Sequence, residues 1–344
     1  MIDIPPRTTE LQSPMPSPIL ALQHNITYAF ENPNGSAVEQ LRRAVDEGKV
    51  SHELDLDLSP GVPRAPRAIR LNDGPPNLQL QVAHLELLWA FIYGWLVVYE
   101  RGVQRPMLDG NFDGRIYFDT PFKERAARLL DWAASLKEGY SDWPEGLPSP
   151  VHHEGEEERD ISLKTNGVFQ QAVAFCLFHE FAHAQQGHLD FMTAEAAATV
   201  DPQSVLEMEK EADDFAYRVM VSPEDDEDTL AVKAWPILAA VLSSFYLIHG
   251  PQGVYQDRHP HLHQRVAHML AKLNFPEGKN RDYYHHLSAT VLKLSLQGTL
   301  VRVRSGTEVD EQPEVFETAV DALDAELDLL DQHVEEIRAT CFRN

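Results

Sequence analysis

Apolar residues along this chain recur mostly at helical spacing and only briefly at the two-residue period of a strand. Residues 37–47 form a short amphipathic pattern that Gly48 ends. From Ser59 to Pro76 the chain is rich in proline and irregular, apart from an extended run at 68–71. Asn77 can cap a long apolar helix over residues 78–100, with Gly102 as its stop. Residues 115–119 alternate and predict a strand, after which Thr120 and Pro121 open a helix that Gly139 closes. Residues 141–160, with an acidic run from Glu154 to Glu158, read as a solvated loop that includes His152 and His153. Further helices are predicted near 167–186, 202–221, 229–249, 261–273 and 282–296, followed by a strand at 300–304. The fold class is α+β, mostly helical, with few short strands.

The two most apolar stretches, 85–99 and 234–248, each run about fifteen residues, against roughly twenty for a bilayer. Glu86 interrupts the first and Pro236 opens the second, so both read as core helices. Residues 1–25, whose start is rich in Pro, Ser and Thr and lacks a basic-then-apolar signal pattern, are expected to be a flexible leader. Residues 26–305 read as one domain, with an N-terminal helical part over 26–150 and a core over 161–275. The remainder, 306–344, is a C-terminal helix. Along it Phe316, Val320, Leu323, Leu327, Leu330, Val334, Ile337 and Cys341 recur at alternating spacings of four and three, a heptad seam. Such a seam packs on its own domain or takes a helical partner. The flanking Glu317, Asp324, Glu326 and Asp331, beside His333 and Arg338, would oppose like charges in a parallel homodimer.

Lys and Arg number 29 against 54 Asp and Glu, a formal charge of −25. So acidic a surface repels phosphate backbones and anionic lipid, and argues against nucleic-acid and membrane partners. Cys176 and Cys341 are too few and too far apart for a disulfide framework, which suits a reducing, cytoplasmic compartment.

Chemistry concentrates at Phe178-His179-Glu180-Phe181-Ala182-His183, an H-E-x-x-H motif. Residues four apart on a helix stand one above the other, so both imidazoles can reach one tetrahedral Zn2+. Glu180, about a quarter-turn away, can take the proton of metal-activated water. The surrounding run from Ala172 to Ala184 is apolar all round and therefore central. Two buried imidazoles and a carboxylate need partners, because an unpaired buried polar group costs about 1–3 kcal/mol. A metal satisfies all three. Downstream, Glu209-Lys210-Glu211-Ala212-Asp213 gives E-x-x-A-D on the next helix, and a carboxylate third ligand would offset the ion's charge. Glu209 shares a small, apolar helix face with Val205, Ala212, Asp213, Ala216 and Met220, whereas Glu207 and Glu211 fall on the polar side. Glu209 is the expected ligand, and Asp213, one turn on, is placed to receive the free N–H of His179.

H-E-x-x-H followed by E-x-x-A-D resembles the Glu-zincin metallopeptidases, in which the Asp partners the first His. His183–His188, Phe215-Ala216, the apolar helices at 87–93 and 235–248, and His259-Pro260 followed by Arg265 resemble the Lit family of phage-exclusion peptidases. The stretch 209–223 is also similar to the ImmA/IrrE peptidases. The resemblance implies a zinc endopeptidase that acts on an intracellular protein in phage defence. A zinc-stabilised sensor or adaptor is the alternative, but it would have no need of Glu180.

Other residues carry weaker signals. His259, His261, His263 and Arg265 open a helix and offer an oxyanion stabiliser or substrate contact; Tyr255 is a further candidate. His188 follows Gly187, a helix C-cap, and reads as structural, and Cys176 reads as a packing residue. Residues 115–119 are the candidate edge strand for a peptide substrate.

Overall fold

The computed structural model describes residues 17–70, 74–191, 200–248, 251–255, 260–304 and 316–341. His259, and residues 1–16 of the expected leader, lie outside these. Ser17 accepts the N–H of Ile19 and starts a 3-10 turn, Pro18–Leu22, that leads directly into α1 (Gln23–Glu31). Ile19, Leu22 and Ile26 are buried, so residues 18–25, expected within the leader, belong to the packed fold.

Asn34 caps α2 (Gly35–Asp46). Three short strands follow: β1 (Leu54–Asp57), β2 (Arg67–Ile69) and β3 (Asn77–Gln81). Their order is β1-β3-β2, with β1 parallel and β2 antiparallel to β3. Residues 78–81, expected as the first turn of a helix, are therefore a strand. Leu78 and Leu80 point to the core between polar Asn77, Gln79 and Gln81, a two-residue period that the apolar run behind it conceals.

Every residue of α3 (Val82–Val97) is buried. At Gly94 an added Cβ would lie 2.2 Å from Cγ of Leu130, so the bare backbone is what lets α5 (Pro121–Ser135) pack so closely. Gly102 does not stop the helix, which continues through a π segment, Val98–Gln104, into α4 (Arg105–Leu108). Its missing side chain instead makes room for Ile116. Residues 115–119 form no strand. Ile116 packs into that gap while Tyr117 and Phe118 remain exposed, and no neighbouring strand takes up the alternation.

The longest helix is α6 (Gly155–Gln186), which begins twelve residues before the expected 167. Glu156, Glu157 and Glu158 form its first turn, where the helix dipole favours negative charge. Glu158 is buried and takes Nε of Arg125 at 2.6 Å. The acidic run is thus a helix start and not a solvated loop. Then come α7 (Pro202–Met220), α8 (Glu227–Ser243), α9 (Leu262–Leu273), α10 (Lys279–Arg304) and α11 (Ala319–Cys341). The run 300–304 expected as a strand is the end of α10.

Helix α6 packs against α1, α3, α7, α8 and the strands β2 and β3, and is the centre of the molecule. Two segments, Val82–Leu108 and Glu227–Tyr246, are long and apolar enough to cross a membrane by length and composition. All of the first window and 61% of the second are buried inside the fold. Helix α11 lies on α10 and touches α9, burying Ala319, Ala322, Leu323, Leu330 and Val334. Leu323, Leu330 and Val334 of its seam are thus met by its own domain.

Candidate metal centre

Phe175, Phe178 and Phe181 pull α6 into the core, and the same turns carry His179 and His183. Opposite them, α7 turns its small-residue face inward, with Ala212 and Ala216 fully buried, and this brings Glu209 and Asp213 against α6. Nε2 of His179 and Nε2 of His183 stand 3.1 Å apart. Oε2 of Glu209 lies 3.5 Å from the first, and Oε1 lies 3.5 Å from the second. An ion with four bonds of 2.0–2.1 Å in a tetrahedron would have ligand–ligand edges of about 3.3 Å. The two imidazole nitrogens are thus spaced for one small ion, and the Glu209 carboxylate, which turns a different oxygen to each ring, closes the third side. Among the described residues, His179, His183 and Glu209 are the one group of three such side chains whose donor atoms could hold a metal. Glu207 and Glu211 are exposed, as the helix geometry requires.

The partners of these donors are set by burial. Nδ1 of His179 donates to Oδ1 of Asp213 at 2.8 Å, as expected. Arg265, from α9, grips that same carboxylate from Nε at 2.9 Å and Nη2 at 2.7 Å. Burial alone would raise the Asp213 carboxyl, but Arg265 and His179 hold it well below the usual carboxylate range. Arg265 thus positions Asp213. Desolvation opposes charge on both histidines. At His179 it is outweighed by Asp213 and Glu209, which push the ring up, whereas at His183 it prevails and the ring is held down.

Glu180 points to the other side, toward the sheet. Its Oε2 accepts the backbone N–H of Ala68 in β2 at 2.8 Å. Burial pushes its carboxyl up to about 7, against the opposing charge of His179. Because Ala68 sends its N–H to Glu180, that group faces away from β3, and β2 is the outer strand of the sheet on this side. The edge strand beside the site is therefore β2 and not residues 115–119.

The remaining candidates fall elsewhere. His263 is buried and donates from Nε2 to Oδ1 of Asp331 in α11 at 2.7 Å, which fastens the C-terminal helix. The ring of Tyr255 packs on His261, which in turn stacks on His263. Cys176 packs against the core, with burial pushing its thiol up to about 12. His188, which the sequence reads as structural, lies with Nδ1 3.0 Å from Nδ1 of His183 and Nε2 3.4 Å from Oε2 of Glu211. The only sequence signal for this is a histidine directly after the Gly187 cap. No sequence signal marks the Ala68 contact, which is made by backbone 112 residues away.

A family model described as Peptidase U49 matches residues 78–288, a span from β3 into α10 that includes all of α6, α7 and α9. No curated protein and no solved structure matches the chain.

Proposed function

Since the chain belongs to the Peptidase U49 family, we propose that it is a zinc-dependent endopeptidase, with His179, His183 and Glu209 holding the ion and Glu180 accepting the proton of the attacking water. The observation that carries this reading is the buried cluster itself, in which the two Nε2 atoms stand 3.1 Å apart and each lies 3.5 Å from an oxygen of Glu209. A bound zinc supplies Lewis acidity, which polarises a carbonyl and makes water acidic enough to yield a proton near pH 7. Glu180 is suited to receive it, because burial brings its carboxyl to about 7, near the working range of a general base. Its bond from Ala68 fixes the carboxylate beside β2. An extended peptide added to the outer edge of β2 would lie against both. Asp213 holds the ring of His179 and is itself held by Arg265.

A purely structural metal site leaves Glu180 without a role, which disfavours the sensor or adaptor reading. The resemblance to the Lit family supports an intracellular protein as substrate and a part in phage exclusion. Purified wild type should carry about one zinc per chain, and Glu180→Gln should keep the metal while losing cleavage, because an amide cannot accept the proton. The readout is metal analysis together with a proteome-wide count of new N-termini in cells expressing each form. Equal numbers of new termini from both forms would refute the mechanism.

A further inference from the structure

We propose that His188 is a positioning residue of the metal centre, accepting the Nδ1–H of His183 and so fixing that ring's tautomer and plane. This rests on the reading of His183 as a ligand through Nε2. Gly187 ends α6 in the left-handed region, φ 78° and ψ 15°, which side chains with a Cβ rarely adopt. That reversal starts the 3-10 turn His188–Asp190 and folds His188 back beneath the last turn of α6. Its ring is buried, 5.2 Å from the ring of His183 and inclined at 65° to it.

Two nitrogens of the same kind face each other here at 3.0 Å, so one carries the proton and the other the lone pair. If Nε2 of His183 gives its lone pair to an ion, the neutral ring keeps its proton on Nδ1. His188 must then accept at Nδ1 and carry its own proton on Nε2. That nitrogen faces Oε2 of Glu211 at 3.4 Å, an oxygen of a side chain 64% exposed. Every proton in the row from His183 to Glu211 is thereby assigned.

The two imidazoles of the site are held in different ways. His179 donates to a carboxylate, whereas His183 donates to a neutral ring. A ligating histidine usually donates to a carboxylate, a carbonyl or water. A carboxylate in the place of His188 would bring another negative charge next to Glu209. His188 supplies orientation without that charge and leaves the charge of Glu211 in solvent.

The test uses the full chain in three forms: wild type, His188→Leu, which keeps bulk without an acceptor, and His188→Asn, whose amide oxygen can stand near the place of Nδ1. Zinc affinity is read by competition with a chromophoric chelator, and cobalt(II) in place of zinc reports ligand geometry through its visible bands. Urea midpoints monitor folding. His188→Leu should bind zinc roughly 10–100-fold more weakly and shift the cobalt bands, while His188→Asn restores most of both. Nitrogen-15 NMR of labelled histidines in zinc-loaded wild type needs no variant, and should show His188 protonated at Nε2 alone. Unchanged affinity and cobalt bands in His188→Leu, or a proton on Nδ1 of His188, would overturn the proposal. Equal losses in Leu and Asn variants with wild-type midpoints would also overturn it. A wild type that binds no zinc would overturn the peptidase reading and this proposal together, and that result appears before any substitution is made.

Discussion

Arg265→Met removes the guanidinium from Asp213 while keeping much of its bulk. Asp213 is 2% exposed and accepts two bonds from Arg265, at 2.7 and 2.9 Å, besides the one from His179. The substitution leaves a buried carboxylate with a single ring N–H. Two charge-assisted bonds are worth about 3–6 kcal/mol together, and breaking a buried ion pair from one side costs about 3–5 kcal/mol. The expected loss of folding stability is therefore about 3–5 kcal/mol, or about two to three and a half powers of ten in the folding constant. Arg265→Lys keeps the charge but not the planar fork, and should lose less. Replacing both partners, in Arg265→Met with Asp213→Leu, should recover part of the loss, because no charge is then stranded. Urea unfolding followed by circular dichroism is the assay, with chelator present so that metal linkage does not enter. The Asp213 carboxyl is depressed in the folded state, so its contribution is fully present above its unfolded value of 3.8 and is lost only as pH falls below that. Measurements at pH 7 therefore read all of it. An Arg265→Met protein within about 1 kcal/mol of wild type would refute the pairing as a source of stability.

Glu209→Ala should abolish tight zinc binding while Glu207→Ala leaves it unchanged, as chelator competition would show; the reverse pattern would remove Glu209 from the site. Glu86, wholly buried in α3, has its carboxyl raised by burial to about 7 from 4.5, against the pull of the Ser17 hydroxyl. Above pH 4.5 the unfolded chain gives up this proton before the folded one does, so stability falls as pH rises to 7, by about 3 kcal/mol. Glu86→Gln should make that slope shallower, leaving the part due to Glu180, and parallel slopes in the two proteins would contradict it. Asp331→Ala takes the acceptor from buried His263 and should cost about 1–3 kcal/mol in the urea midpoint, with the zinc content unaltered.

The centre of the site was legible because its physics is local. Four-residue spacing, an apolar helix and a carboxylate on the small-residue face of α7 bring His179, His183, Glu209 and Asp213 together with no knowledge of the fold. Arg265 stood out in the sequence but its partner did not, since nothing in its neighbourhood shows that Asp213 lies opposite. What failed depended on distant partners. Glu158 looks like one of a solvated acidic run until Arg125, from another helix, is placed beside it. Residues 115–119 alternate as a strand would, but find Gly102 instead of a neighbouring strand. At β3 the local signal was present, and the stronger helical pattern that follows it masked the boundary.

The position of α6 has a consequence for motion. Its second half is at once the floor of the site and a deeply enclosed part of the core, so the donors it carries cannot swing open unless the whole protein does. Amide protons there should exchange with solvent only through global unfolding. Accommodation of a substrate must come from the opposite wall, where β2 is three residues long and is tied down by Ala68 to Glu180 and by Arg70 to Asp190. On the proposed reading, a strand that competed there for the Ala68 N–H would also free the carboxylate of Glu180, so that one wall would both admit the peptide and loosen the residue proposed as base.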